Sequence, residues 1–274
     1  MQLIFANSAF VSAPERLMRR NGSWSMVALR VRYGIILHPK QGVFLVDTGI
    51  GPAALSYPDR PLPVRAYAAA LRYRLLEEEA PAAVLERLDL RPRDVAGVIV
   101  THFHADHVAR LNEFPMARII CHSPALRQIR AATDFANVRH GVFAGLIPAG
   151  LETRMACVTQ LAPRDAGLAG VVGGDVFGDG SCLAVPLPGH AAWQFGLAFP
   201  QMARPLLYAV DTQWLLPALP VGQAPGWPAR LIWDDPVAAG ESTALACRWQ
   251  QSGGQVMLCH DPDVTAFDHQ APPR

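Results

Sequence analysis

Short apolar runs recur along the chain, and their spacing predicts strands in its first half. Apolar and polar positions alternate in VALRVRY (27–33), and GVFLVD (42–47) follows it after the turn residues HPKQG. Two further runs, VAGVIV (95–100) and ARIICH (117–122), have the length and the flanking turn residues of buried strands. We therefore predict a strand in each of these four segments.

Helical patterning occurs in three places. The stretch 64–88 is rich in Ala, Leu, Arg and Glu and is predicted helical, with an interruption at Pro81, because proline cannot continue the hydrogen bonds of a helix. A second helix is predicted at about 123–133, directly after ARIICH, and a third covers roughly 236–251.

The second half of the chain begins with a segment, 134–180, that is rich in Gly and Pro and has no clear period. GDVFGDGS (174–181) is a predicted hairpin turn at its end. Four apolar runs are predicted strands, three before the last helix and one after it: SCLAVPL, FGLAFP, PLLYAV and QVMLC. The order strands, helices, strands, helix, strand predicts an α/β fold with two sheets flanked by helices.

Composition and charge indicate some classes of protein and argue against others. Of the 274 residues, 51% are apolar and 17% are charged, which is typical of a globular protein with a substantial core. The net charge of +1 does not supply the basic surface of a nucleic-acid-binding protein. Since no repeat or linker divides the chain, we predict one domain over 1–274. No run of about 18 apolar residues exists, so we expect no membrane span.

The cysteines and the N-terminal sequence predict the cellular compartment of the protein. Five cysteines, an odd number with no C-x-x-C pair, argue against a framework of disulfides. Arg16, Arg19 and Arg20 follow the first apolar segment instead of preceding it, which is the wrong order for a secretory signal. We therefore expect the protein in the reducing cytoplasm. Its expected partner is a small-molecule substrate, and homo-oligomer formation stays open.

The strongest chemical pattern is HFHADH, which follows the predicted strand 95–100. Imidazole and carboxylate groups are the ligands that suit zinc and related first-row metals. His102 and His104 lie on one side of an extended segment and can reach one ion, because side chains alternate with period two. After the chain turns, Asp106 and His107 can present to a second ion. Three histidines within six residues at a strand end predict a metal site.

Three further residues are weaker candidates for metal ligands. His190, Asp211 and His260 each follow an apolar strand, where sites are assembled on rigid elements, although each is a weak indication alone. Cys259 precedes His260, so alternation along the strand predicts that its sulfur points away from a metal. Four histidines have no partner at ligand spacing and are predicted surface or loop residues: His38, His122, His140 and His269.

Taken together, these motifs resemble the metallo-β-lactamase superfamily. The resemblance rests on Asp47 in D-T-G, on H-x-H-x-D-H, and on the G-H of His190 followed by Asp211 and His260. It implies an αββα four-layer sandwich. It also implies that one metal is bound by His102, His104 and His190, and that a second is bound by Asp106, His107 and His260. Asp211 would bridge the two ions, and Asp47 would support the ligands without binding a metal.

The resemblance implies a dinuclear metal-dependent hydrolase that uses a metal-bridging hydroxide, with Asp106 and Asp211 as catalytic residues. Two divalent ions are expected, zinc first, with iron or manganese as alternatives. The bridging aspartate and the short tail after His260 favour a lactonase or esterase similar to N-acyl-homoserine lactonases. Two alternatives stay open: a glyoxalase-II-type thioesterase without its C-terminal domain, and a non-hydrolytic metal-binding or regulatory protein.

Aromatic residues in two variable stretches predict an apolar substrate pocket. Tyr67, Trp214 and Trp233 are the substrate-binding candidates, although any one of them could equally pack the core. The lactonases that this chain resembles carry a tyrosine three residues after the bridging aspartate. Here that position is Trp214, whose indole offers one N–H donor and no acidic hydroxyl.

Overall fold

One large sheet is built mainly from the first half of the chain. The computed structural model describes residues 1–56, 73–220, 225–226 and 232–269, and within them this sheet has seven strands in the order β4-β1-β2-β3-β5-β6-β7. The strands are Gln2–Pro14 (β1), Met26–His38 (β2), Gly42–Val46 (β3), Tyr73–Leu75 (β4), Val95–Ile99 (β5), Arg118–Cys121 (β6) and Met155–Cys157 (β7). β1 and β2 pair antiparallel, and β3, β5, β6 and β7 run parallel to one another.

A second sheet of six strands comes from the remainder of the described chain, in the order β13-β12-β11-β10-β9-β8. Its strands are Pro163–Asp165 (β8), Val172–Asp175 (β9), Leu183–Pro186 (β10), Phe195–Phe199 (β11), Leu206–Tyr208 (β12) and Gln255–Met257 (β13). Its pairs are antiparallel except for β12 with β13, which are parallel because α7 connects them.

Seven α-helices lie within the described residues: Glu15–Met18 (α1), Pro52–Leu55 (α2), Pro81–Arg87 (α3), Ala105–Val108 (α4), Ser123–Ala131 (α5), Asp134–Arg139 (α6) and Pro236–Gln251 (α7). The carboxylate of Asp235 caps α7 by accepting hydrogen bonds from the amides of Val237 and Ala238. No described helix is long and apolar enough to cross a membrane.

The two sheets pack face to face, with helices outside each of them. Phe5 of β1 meets Tyr208 of β12 in the core between the sheets, with ring centroids 4.7 Å apart. Leu207, one residue earlier, faces the opposite way and joins Trp249 of α7 in a separate outer core, as the period of two in a strand requires. On the far side of the larger sheet, Leu126 of α5 belongs to a third core. The resulting four layers are the αββα arrangement.

Most predicted strands and helices are confirmed, and the differences concern the first third of the chain. The N-terminal segment, for which the sequence predicts no strand, forms β1, the long partner of β2. Helix was predicted over 64–88. Residues 57–72 lie outside the described part, and Tyr73–Leu75 is a strand, so the prediction is wrong there. Backbone pairing with β1 overrides the local helical preference. Pro81–Arg87 is helical, and Pro81 begins the helix.

The fold brings several strand ends to one place. Asp47 follows β3, His102 follows β5, His190 follows β10, Asp211 follows β12 and His260 follows β13. All five side chains are buried at this common edge of the two sheets. Residues that are far apart in sequence therefore meet because the strands that carry them are neighbours.

Candidate metal centre

The carboxylate of Asp211 lies at the centre of a cluster of imidazoles. Its Oδ2 atom is 3.2 Å from Nε2 of His107, 3.3 Å from Nε2 of His190 and 3.4 Å from Nε2 of His260. Nε2 of His102 lies 3.7 Å from the same oxygen. One carboxylate oxygen thus reaches histidines from both halves of the predicted ligand set.

Three histidines and Asp211 form the first group. His102, His104, His190 and Asp211 each offer one ligand atom, and these atoms lie within 4.8 Å of one another. Nε2 of His190 is 2.9 Å from Nδ1 of His104, a distance at which two lone pairs would repel unless a proton or a cation lay between them. Nε2 of His102 and Oδ1 of Asp211 are buried and have no hydrogen-bond partner within the described part of the chain. Such orphaned buried ligand atoms suit a bound cation, so the group fits a divalent metal.

The second group contains His107, His260 and Asp211, with Asp106 at its edge. Oδ2 of Asp106 is 3.3 Å from Nε2 of His260 and 3.8 Å from Nε2 of His107. The sulfur of Cys259 also lies within 4.8 Å of the ligand atoms of His107, Asp211 and His260. It is closer than strand alternation predicts, because β13 ends at Met257 and the alternation does not extend to residue 259.

Polar contacts on the outer side hold three of the rings in place. Nδ1 of His107 lies 2.8 Å from Oδ2 of Asp47, and Nδ1 of His260 lies 2.6 Å from the carbonyl oxygen of Arg30. The hydroxyl of Thr101 is 3.2 Å from Nδ1 of His102. Because each Nδ1 has a partner behind it, Nε2 of each ring is directed to Asp211. Histidine ligands of metals are usually oriented in this way.

Asp47 is buried completely and has an unusual backbone conformation. Its φ of 59° lies in the left-handed region, which aspartate tolerates better than most residues. Oδ1 accepts a hydrogen bond from the amide of Thr101 and Oδ2 accepts one from the Thr101 hydroxyl, both at 2.8 Å. The amide of Thr48 donates to the carbonyl of His107 at 2.8 Å. The turn after β3 therefore supports the segment that follows β5.

Burial and charge together move the pKa values of the cluster in opposite directions. Burial lowers the pKa of His102 well below its usual value, and it lowers that of His104 to about 3, with neighbouring imidazoles contributing. Burial opposes the charged form of His107 too, but Asp47, Asp106 and Asp211 outweigh it and raise the pKa of that ring. The site therefore favours neutral, ligating imidazoles at His102 and His104, with ionised carboxylates close by.

A cavity of about 390 Å³ adjoins the first group. His102 and His104 line one side of it, and the opposite wall comes from α5, α6 and the loop that follows His190. His122 and His140 also line it, although they were predicted to be ordinary surface or loop residues. Neither has a motif in the sequence that would reveal this, since α5 and α6 bring them here only through the tertiary fold.

The three residues predicted to bind substrate differ in where they lie relative to the cluster and the cavity. Trp214 is 7% exposed and packs edge-on against His190, with ring centroids 6.2 Å apart. Trp233 is buried, its indole N–H has no partner among the described residues, and it does not line the cavity. Tyr67 lies outside the described residues.

The model of one known protein family matches much of the chain that forms this cluster. A family model described as the metallo-beta-lactamase superfamily matches residues 30–194. The matched range includes Asp47, the whole HFHADH segment and His190. It ends before Asp211 and His260, which the geometry above joins to the same cluster.

Two named relatives match parts of the chain. A probable metallo-hydrolase of Mycobacterium tuberculosis is 31% identical in an alignment of 103 positions that covers 34% of this chain. The match spans only 32% of that protein's length. The N-acyl homoserine lactonase AttM of Azorhizobium caulinodans is 27% identical over 198 residues, covering 72% of this chain and 69% of that protein.

Solved structures share the fold at low sequence identity. A variant of AiiA from B. thuringiensis with N-decanoyl-L-homoserine at its active site superposes with a TM-score of 0.70, at 15% identity, over 95% of this chain and 94% of the other. The dizinc quorum-quenching lactonase AidC superposes with a TM-score of 0.66, at 13% identity, over 95% and 87% of the two chains. At such identities the likeness establishes the architecture.

Proposed function

The chain belongs to the metallo-β-lactamase superfamily, a family of metallo-hydrolases, and on that premise we propose that it uses two divalent metals to hydrolyse a lactone or carboxylic ester with an apolar group. The observation that carries the proposal is the position of Asp211. Its Oδ2 lies within 3.4 Å of a histidine of each group, His190 on one side and His260 on the other. A carboxylate in this position is suited to bridge two cations.

The ligand assignment follows from the two groups. His102, His104 and His190 would hold one ion, Asp106, His107 and His260 the other, and Asp211 would contact both. We assign Asp106 in preference to Cys259, because burial raises the pKa of the Cys259 thiol and its sulfur lies 3.5 Å from the carbonyl oxygen of Arg32. Five imidazoles with two carboxylates suit zinc, and the same donors also serve iron or manganese.

Bound divalent ions lower the pKa of a water molecule from 15.7 to about 7 and polarise the substrate oxygen. The chain's own residues supply the remaining functions. Burial raises the pKa of Asp106, but the charges of His107 and His260 outweigh it, so this carboxylate stays ionised. Its side chain is 20% exposed, whereas that of Asp211 is 2% exposed. Asp106 is therefore the carboxylate that can take a proton from the attacking water and return it to the leaving oxygen.

The substrate class is supported by the cavity and by the relatives. Ten of the eighteen residues that line the cavity beside His102 and His104 are apolar (alanine, valine, isoleucine, phenylalanine and tryptophan), which suits an acyl chain, and the polar remainder includes four histidines. AttM is named an N-acyl homoserine lactonase, and a related structure holds the product N-hexanoyl-L-homoserine at its catalytic metal centre. An acyl lactone is therefore the first substrate to test.

The test is a panel of substrates on protein reconstituted with zinc, manganese or iron. We expect kcat/KM to be highest for acyl lactones or aryl esters, and to fall to background when the metal is removed by a chelator. Asp211→Ala should abolish most of the activity, whereas Asp179→Ala, at a distant turn, should leave it unchanged. A preference for phosphodiesters or thioesters, or activity that survives chelation, would contradict the proposal.

A further inference from the structure

The cavity contains a histidine–carboxylate pair that the metal centre does not use. We propose that His140, held by Asp234, is a specificity residue that accepts a hydrogen bond from an N–H or O–H group of the substrate. The preferred substrate would then be a lactone or ester with such a donor beside its apolar group, as in an N-acyl amide. This inference rests on the hydrolase proposed above and names a substrate feature that the metal ligands do not determine.

The geometry of the pair fixes which ring nitrogen faces the substrate. Nδ1 of His140 lies 2.7 Å from Oδ1 of Asp234, an ion-pair contact that is not aligned as a hydrogen bond. Two lone pairs would repel at that distance, so Nδ1 carries the proton. No described residue is paired with the second ring nitrogen, Nε2, and His140 lines the cavity. In the neutral ring Nε2 is then an acceptor with a free lone pair.

The pair is anchored to the metal ligands through the backbone. The amide of Ala105 donates to the carbonyl of Gly141 at 3.0 Å, and a Cβ placed on Gly141 would lie 3.5 Å from Cδ2 of His104. The other carboxylate oxygen of Asp234 accepts a hydrogen bond of 2.7 Å from the amide of Ala192, in the loop that follows His190. His140 and Asp234 are thus held next to the first group of ligands. His104, His140 and Asp234 all line the same cavity.

Two other polar side chains of the cavity already make a hydrogen bond. Oε1 of Gln128 accepts from the indole N–H of Trp193 at 3.0 Å, and the amide of Asn137 donates to the carbonyl of Ile129 at 2.9 Å. His122 is stacked on Trp193, with ring centroids 4.5 Å apart, but its buried Nδ1 has no hydrogen-bond partner among the described residues, so no contact fixes its tautomer. Of these two histidines, His140 is therefore the one whose acceptor nitrogen is defined. An N–H or O–H donor on the substrate would give this nitrogen a hydrogen-bond partner. An apolar group in the same position would leave the nitrogen without one.

The experiment compares two lactones on the zinc-loaded enzyme: N-hexanoyl-homoserine lactone, and an alkyl γ-butyrolactone of matched length without the amide N–H. We expect wild type to prefer the amide. His140→Ala should lower kcat/KM for the amide lactone by about tenfold, the effect of one hydrogen bond, and leave that of the alkyl lactone within about twofold. His140→Gln, whose side-chain oxygen can accept, should recover part of the loss. His38→Ala is the matched control, because His38 is also paired with a carboxylate, Asp179 at 2.9 Å, outside the cavity.

Asp234 acts through His140 and is a positioning residue, so its variant tests the coupling. Asp234→Ala should reduce the preference for the amide lactone, and the double variant with His140→Ala should be no worse than His140→Ala alone. Calorimetry gives a second readout. The ring-opened product N-hexanoyl-homoserine should bind His140→Ala about tenfold more weakly than wild type, at unchanged zinc content.

The outcomes separate the two proposals. If wild type hydrolyses neither these lactones nor an aryl ester, the proposed function is wrong and this inference falls with it. If wild type hydrolyses lactones but His140→Ala lowers the activity on both equally, only the role of His140 is wrong. Loss of discrimination in His122→Ala together with its retention in His140→Ala would assign the role to the other histidine.

Discussion

Oδ2 of Asp47 lies 2.8 Å from Nδ1 of His107, and both side chains are completely buried. Nε2 on the opposite side of the same ring lies 3.2 Å from Asp211. Asp47 therefore contacts one nitrogen of the imidazole of His107 and orients the ring, while Asp211 lies beside the other nitrogen, which is the candidate metal ligand. Since Asp47 also binds Thr101, the residue before His102, one side chain supports both groups of the centre.

The first prediction concerns Asp47→Asn. The amide has the same shape and can still accept one hydrogen bond from Thr101, so we expect the chain to fold. It carries no charge to hold the N–H of His107, and we therefore expect metal affinity to fall by about 10- to 100-fold. Competition with a chelating dye measures this. Asp179→Asn removes the charge beside His38 instead, and a similar loss of metal affinity there would contradict the assignment.

The second prediction is the metal content. Two groups of ligands that share Asp211 predict close to two divalent ions per chain after reconstitution. Asp211→Asn should lower the content measured by elemental analysis, because the neutral amide offers a weaker bridge and leaves the positive charge of two ions uncompensated. His269→Ala is the control, since His269 pairs with Glu79 outside the cluster. A wild-type content that stays at about one ion would contradict the dinuclear site.

Much of the proposed ligand set could be predicted from the sequence, because short local patterns contain it. HFHADH places four side chains within six residues, and the later ligands each follow a recognisable apolar strand. Asp47 was assigned a supporting role only through the family resemblance. Its contact with His107 depends on the parallel pairing of β3 with β5, which no local pattern encodes.

The rest depended on tertiary contacts. Segment 134–180 has no period, yet it contains α6 and three strands, which are short and gain their order from pairing with neighbours. His140 is at the end of α6 and Asp234 precedes α7, so 94 positions separate two side chains that meet at 2.7 Å. The residue types at these two positions do not by themselves predict that the side chains pair. The single-domain organisation also stays a prediction.

The third prediction concerns acid stability. Arg32 is fully buried and pairs with Asp268, Nε to Oδ1, at 2.8 Å. It also donates to the carbonyl oxygen of Asp261, next to His260, at 2.6 Å. Burial raises the pKa of Asp268, but hydrogen bonds and the charge of Arg32 outweigh it and hold that pKa below the usual value. A depressed pKa in the folded state stabilises the protein above the usual aspartate pKa, and this contribution is lost as pH falls through the folded value.

We therefore expect Asp268→Asn to lower the free energy of unfolding at neutral pH by about 3 kcal/mol, because the charge of Arg32 stays buried without its partner. Below about pH 4 the difference from wild type should begin to shrink, because the aspartate of the unfolded chain is protonated there. The difference should be lost as pH falls through the lower pKa of Asp268 in the folded protein. Urea titrations at several pH values measure both effects. Asp94→Asn, in an exposed pair with Arg91, should not change stability measurably. A difference that grew in acid would contradict the assigned sign.

The fourth prediction concerns Trp214, which stands three positions after Asp211 and packs against His190. Its indole N–H is the donor that this side chain could offer to a substrate oxygen. Trp214→Phe keeps an aromatic ring and removes the donor, whereas Trp214→Tyr replaces the donor with a hydroxyl. We expect kcat/KM for acyl lactones to be roughly tenfold higher in the tyrosine variant than in the phenylalanine variant, with equal metal content, since one hydrogen bond to the reacting oxygen separates them.

Matched controls separate this role from packing. Trp249→Phe makes the same change in the outer core beside the second sheet, where the ring is fully buried away from the cluster. It should lower stability and leave kcat/KM of the folded enzyme unchanged. If the phenylalanine and tyrosine variants at position 214 had equal kcat/KM, Trp214 would only fill space beside His190.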